Sequence, residues 1–190
     1  MANTETFYKG LMASEDVQSY VGSCKFKNGD NYAIVSDGAL VELDGLADNP
    51  VYGNTALDYN VYNAKAPSAN NASVVIVDLS EVSQGVIAGN NYKIGAKLVG
   101  LQCKAGFPSR YRVPVKHDRY WVSGDCFTAE PSVGNFAVAA ANTTKHTPAI
   151  LSDVETGQYC VKIQDSRDFT VGAGLAGSGS TGKLYLCEVL

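Results

Sequence analysis

The chain has 190 residues, 45% apolar and 18% charged, with a formal net charge of −4 and an isoelectric point near 5.1. That balance excludes a disordered or membrane-embedded chain, and with domains running from about 50 to 200 residues it allows one good core or two small ones. The acidity excludes the clustered Lys and Arg of a nucleic-acid-binding domain, leaving protein or neutral glycan as partner classes.

Met1 to Gly10 is polar, without the basic start and apolar run of a secretory signal. No stretch reaches the roughly 18 apolar residues a membrane helix needs. Synthesis in a cytoplasm, with no membrane partner, is therefore expected. Residues 1–29 are the least strand-like part; Ser14 offers a cap for one helical turn over 14–18, and the segment reads as an N-terminal arm or edge. From Tyr32 the pattern sharpens. The runs 32–36 and 39–43 are divided by Asp37-Gly38 and followed by Asp44-Gly45. Two apolar runs around Asp-Gly predict a hairpin, because its turn needs positive φ at residues that tolerate it.

Further strands are expected over 58–63, 73–79, 92–102, 120–123, 135–140, 158–164 and 183–190, each bounded by Gly, Pro, Asn or Ser. Val74-Val75-Ile76-Val77 is an unbroken β-branched run, which predicts a strand covered on both faces in mid-sheet. Gly85, Gly89, Asn90 and Asn91 mark a seam over 83–91 between a smaller β unit, 30–84, and a larger sandwich or barrel unit, 91–190; one continuous domain also fits. No long segment carries a 3.6-residue period, whereas nineteen glycines and eleven tyrosines suit tight turns and half-buried sheets. The expected fold class is mainly β, a sandwich or barrel of short antiparallel strands with an irregular N-terminal arm and room for two small units.

Reactive groupings are sparse. Cys24, Cys103, Cys126, Cys160 and Cys187 are odd in number and irregularly spaced, which supports neither a zinc site nor a disulfide framework and points to small buried side chains. The run from Gly177 through Gly182-Lys183 matches a phosphate-binding loop until Leu184 stands where a Ser or Thr would hold magnesium; a hairpin loop between Phe169 and Lys183 is the simpler reading. His117, beside Asp118, and His146 are the only histidines; Cys103 or Cys126 with His117 would make a thiol–imidazole pair if they met, but no family signature surrounds either cysteine. Asp37, Asp44, Asp48 and Asp58 lack the alternating spacing of a calcium loop. No catalytic residue, cofactor or metal is expected, and the chain is read as not an enzyme.

One stretch concentrates positive charge and aromatic rings, from Arg110 to Trp121. Arg, Tyr and Trp dominate interface hot spots because they bury large area while satisfying a polar tip, so Arg110, Arg112, Arg119, Tyr120 and Trp121 are the candidate partner contacts. The plainer alternative is a solvated edge strand blocked by Pro114.

Several phrases carry a likeness: Leu46-Ala47-Asp48-Asn49-Pro50-Val51-Tyr52, Asp58-Tyr59-Asn60-Val61-Tyr62-Asn63-Ala64-Lys65-Ala66-Pro67, Val74-Val75-Ile76-Val77-Asp78, Asn91-Tyr92-Lys93-Ile94-Gly95 and Asp118-Arg119-Tyr120-Trp121-Val122. In their order and character, from about Leu46 to Leu190, they resemble head-associated structural proteins of tailed bacteriophages. The resemblance implies a virion component made in the bacterial host cytoplasm, a decoration or cement protein on the capsid exterior that binds the major capsid protein and forms a homo-oligomer. It supplies no catalytic residues. Two other readings stay open: a tail-tube or head–tail joining subunit, and a β module whose rings stack on a glycan or host surface.

Overall fold

The structure, a computed structural model, describes residues 8–11, 21–48, 57–79, 84–87, 90–93, 102–171 and 180–190. In chain order the strands are β1 (Tyr8–Leu11), β2 (Val21–Asn28), β3 (Asn31–Tyr32), β4 (Val35–Ser36), β5 (Leu40–Asp48), β6 (Leu57–Lys65), β7 (Val74–Val77), β8 (Gln84–Ile87), β9 (Asn90–Lys93), β10 (Gln102–Cys103), β11 (Ser109–Arg112), β12 (Arg119–Ser123), β13 (Phe136–Val138), β14 (Thr147–Ala149), β15 (Cys160–Val171) and β16 (Ser180–Val189). Single 3-10 turns follow β12 and β14, at Gly124–Cys126 and Leu151–Asp153. The fold is mainly β, as the sequence predicts, with no α-helix among the described residues.

Five strands close on themselves. The order β11-β7-β5-β6-β2 is completed by pairing of β2 with β11, and β3 extends β2 at one end. Every pairing in the ring is antiparallel except β2 with β6, which run parallel. A ring this small leaves little interior space, since barrel diameter grows with strand number. The buried side chains that fill it are mostly modest, among them Cys24, Val41, Ala64, Val75 and Val77, with the larger ring of Tyr111 beside them. That ring fits because residue 22 is glycine; a Cβ there would overlap the Tyr111 hydroxyl and come within 2.7 Å of its ring carbon Cε1.

The second sheet runs β1-β12-β16-β15-β13-β14, all antiparallel. Its inner face, including Tyr120, Val122, Ile163, Tyr185 and Cys187, packs against Leu40, Val74 and Ile76 from the outside of the barrel. Alternation along β7 therefore serves two cores. Val74 and Ile76 face the second sheet, while Val75 and Val77 face the barrel interior. With β5 on one side and β11 on the other, this strand is mid-sheet and covered on both faces, as its β-branched run predicts.

Other expectations change. Asp37-Gly38 does form a turn, with Gly38 at φ 73° and the Ala39 amide donating to the Ser36 carbonyl at 3.3 Å, but its flanking strands separate. β4 pairs with β10, while β5 is claimed by β6 and β7. The turn is instead pinned to the end of β7: Asp37 Oδ1 accepts the Leu79 amide at 2.7 Å, and the Gly38 amide donates to the Val77 carbonyl at 2.8 Å. Asp44-Gly45 ends nothing. Gly45, at φ 67°, lies where the β5–β6 register shifts, so the second Asp-Gly is a bulge that bends a continuous strand.

The expected division of the chain also differs from the observed pairing. Residues 21–28, read as part of an arm or edge segment, form a strand of the barrel wall paired on both sides, with Cys24 pointing inward. The seam over 83–91 holds the β8–β9 hairpin rather than a break. β11, beyond that seam, closes the barrel with strands that precede it, so the blocks 30–84 and 91–190 share one sheet. The β15–β16 pairing extends as far as Val171 with Ser180, a longer hairpin than predicted, and Lys183 lies within a strand. The predicted helical turn over 14–18 and residues 94–101 of the predicted strand lie outside the described residues.

Candidate functional site

The arginine stretch is organised around two carboxylates. Arg110 and Arg112 share one face of β11, since residues two apart on a strand point the same way. Both reach the buried Asp78 at the end of β7. Arg110 Nη2 lies 2.8 Å from Asp78 Oδ2, its Nε donates to the Asp78 carbonyl at 3.1 Å, and Arg112 Nε donates to the same carboxylate oxygen. Two guanidinium groups thus meet one carboxylate, which leaves a surplus positive charge on a surface where Arg110 remains exposed.

The second centre is Glu188 on β16. Its carboxylate takes hydrogen bonds from His117 Nδ1 at 3.3 Å and from the Gln164 side-chain amide, and lies 3.5 Å from Arg119 Nη2. Partial burial pushes its acidity the other way, but the His117 hydrogen bond and the nearby Arg119 charge hold its carboxyl below the usual range. His117 sits in a turn at φ 74°. The turn is fixed by Asp118, whose carboxylate accepts the Val115 amide at 2.9 Å. His117-Asp118 is thus a structural corner.

The two aromatic candidates are placed differently from expectation. Tyr120 is 0% exposed and Trp121 3%, so both are core residues rather than contact surface. Tyr120 faces the barrel, its hydroxyl hydrogen-bonded to that of Tyr159. Trp121 points to the other face of the sheet, where the Arg167 guanidinium lies 4.7 Å from the centre of its ring. The reason is the alternation of β12: four consecutive residues, Tyr120 to Ser123, are buried because this strand is second from the edge and covered on both faces. Of the five predicted contacts, the structure leaves the three arginines accessible.

The thiols are no better placed for chemistry. Cys24, Cys126, Cys160 and Cys187 are buried. Burial pushes the Cys24 thiol up to about 11 and the Cys126 thiol up to about 12, which keeps them in the less nucleophilic protonated form. No group of three or more His, Cys, Asp or Glu among the described residues is arranged to hold a metal ion.

Sequence reasoning missed the surface around Glu130. Glu130 lines three open recesses of about 320, 410 and 330 Å³ along the end and far edge of the second sheet. Its carboxylate accepts from Lys183 Nζ at 2.8 Å and from the Tyr185 hydroxyl at 3.2 Å. The hydrogen bond between them lowers the pKa of Glu130 and raises that of Lys183. Nearby Val133, Ile150 and Leu151 are exposed, as are Ile34 and Phe107 on the barrel rim. The one available signal was Lys104-Ala105-Gly106-Phe107-Pro108, a turn sequence that leaves a phenylalanine with no strand to bury it.

No family model matches the sequence, and no curated protein matches it either.

Proposed function

We propose that this chain is a non-enzymatic structural protein of a tailed-phage virion, bound to the outside of the head shell through contacts with the major capsid protein. The observation that carries the reading is the double use of β5 and β7. One pair of strands lines the barrel and also packs the second sheet, which makes a stiff body whose shape is its product. The segments that resemble phage head proteins, among them Val74 to Asp78 and Asp118 to Val122, support the virion assignment.

A body of this kind suits cementing. Whatever binds only the assembled shell shifts the equilibrium toward assembly, and a rigid binder loses little conformational entropy on docking. Arg110, Arg112 and Arg119 present guanidinium groups already oriented by Asp78 and Glu188, so their ordering cost is met within the fold. The net negative charge keeps free copies soluble after synthesis in the host cytoplasm.

The test is co-sedimentation of the purified chain with empty shells of its major capsid protein, together with the temperature at which those shells fall apart. The expected result is saturable binding that raises shell stability and is weakened by Arg110→Glu with Arg119→Glu. Stable rings or tubes of the isolated chain at micromolar concentration would favour a tail-tube or joining subunit. Binding to host wall glycan and not to shells would favour the carbohydrate module.

A further inference from the structure

Two surface features match each other. The first is a knob on the barrel rim. The turn after β10 carries Lys104 and Phe107, closed by the Phe107 amide donating to the Lys104 carbonyl at 3.1 Å. It rests against β3: a Cβ on Gly106 would lie 3.9 Å from the Tyr32 ring. Gly106 itself is at φ 78°, a conformation that projects the next residue outward and that other residues adopt only with strain. Phe107 is consequently 63% exposed, with Ile34 at 58% on the strand segment that leads into the β4–β10 pairing. Lys104 is exposed and has no ion pair among the described residues.

The second feature is an open recess with an acidic side chain, Asp153, at the edge strand β14. A recess of about 330 Å³ lies between Glu130, Asn135, Pro148, Ile150 and Asp153. Ile150 is 57% exposed and Leu151, beside it, 59%. Asp153 is exposed, and among the described residues its carboxylate accepts only from the Ser152 hydroxyl, at 3.0 Å. The Glu130 carboxylate is already met by Lys183, so the acid at the recess without an ion pair among the described residues is Asp153, opposite in sign to Lys104. Pro148 withholds a backbone donor from the strand edge, so this edge does not invite another strand. It invites a side chain.

We infer that this chain contacts a second copy of itself head to tail, the Phe107 ring of one entering the recess beside β14 of the next while Lys104 meets Asp153. Used once per pair of copies, a knob and a hole on different elements make a heterologous contact that repeats around a ring or along a row; used reciprocally across a two-fold axis they would stop at a dimer, so a mass that rises past the dimer is expected. One ring and a few charges bury far less than the roughly 1,200 Å² of a stable interface. The contact is therefore weak in free solution, and it strengthens where a common support holds copies at high local concentration. It rests on reading the chain as a self-associating shell protein, and it adds which surfaces meet.

The experiment is sedimentation velocity of the full chain up to millimolar concentration, on the wild type, Phe107→Asp, Lys104→Glu, Asp153→Lys and the Lys104→Glu/Asp153→Lys double variant. Unchanged circular dichroism in each will show that these exposed positions leave folding intact. Expected is a concentration-dependent rise in mass for the wild type, abolished by Phe107→Asp. Each single charge reversal weakens it by roughly tenfold or more, and the double variant, which restores opposite charges across the contact, recovers most of that loss. A wild type that stays monomeric at millimolar concentration, an oligomer indifferent to Phe107→Asp, or a double variant no better than the singles overturns the inference. Shell binding by a chain with any of those outcomes would leave the proposed function standing, and self-association as described without shell binding would do the reverse.

Discussion

His146 is enclosed by aromatic rings, with Phe127, Tyr159 and Tyr120 centred 5.3, 6.0 and 6.1 Å from it. Neither ring nitrogen has a hydrogen-bond partner among the described residues. Its backbone is held: the amide donates to the Cys126 carbonyl at 2.8 Å and the carbonyl accepts from Thr128 at 2.9 Å. Protonation would place a charge in this apolar shell, so burial lowers its pKa from 6.5 to about 3. The sign follows from which state binds the proton. Between those values the unfolded chain takes up a proton that the folded chain refuses, so stability is intact above pH 6.5 and falls as the pH drops toward 3. The slope approaches about 1.4 kcal/mol per pH unit inside that window. Urea denaturation at pH 7, 6 and 5 should show this loss in the wild type and a flatter profile in His146→Leu; parallel profiles would contradict it. At a second residue, Gly22→Ala should cost about 1–3 kcal/mol by forcing a methyl group into the Tyr111 ring, read as a lowered urea midpoint at unchanged m.

At the level of elements, β7 carries the most consequence for its length. Ile76 fills the space between barrel and second sheet and is fully buried. Ile76→Ala should destabilise by about 2–5 kcal/mol through lost transfer energy and the cavity left behind, measured by chemical denaturation. Val74 to Val77 was legible because burial on both faces removes any need to alternate polarity. β11 was not. Ser109-Arg110-Tyr111-Arg112 alternates like a solvated edge, yet Ser109 and Tyr111 are buried and the arginines fold their charged ends onto Asp78. β2 hid in the same way, because Gly22, Lys25 and Lys27 dilute the inward Cys24 and Phe26. Tyr120 and Trp121 show the limit for sites: a large amphipathic ring suits a core with one polar partner as well as an interface, and composition alone does not separate the two.

For the whole molecule, the shared strands couple its parts. Leu40 and Val41 are neighbours on β5 but belong to different cores, and β11 joins the barrel from beyond the expected seam. Barrel and second sheet should therefore unfold together. Trp121 reports on the second sheet, so its fluorescence in urea should trace the same midpoint as far-ultraviolet circular dichroism, which averages all strands. Separate midpoints would mean that the two units stand alone. The same coupling underlies the proposed role, since a cement must transmit load between neighbours without yielding at a hinge. The most direct measurement of that proposed role is cryo-electron microscopy of intact virus particles purified from cells that produce this chain. Expected is this barrel and sheet on the outer surface of the head, bridging neighbouring capsid subunits. Its density in the tail, or its absence from finished particles, would contradict that role.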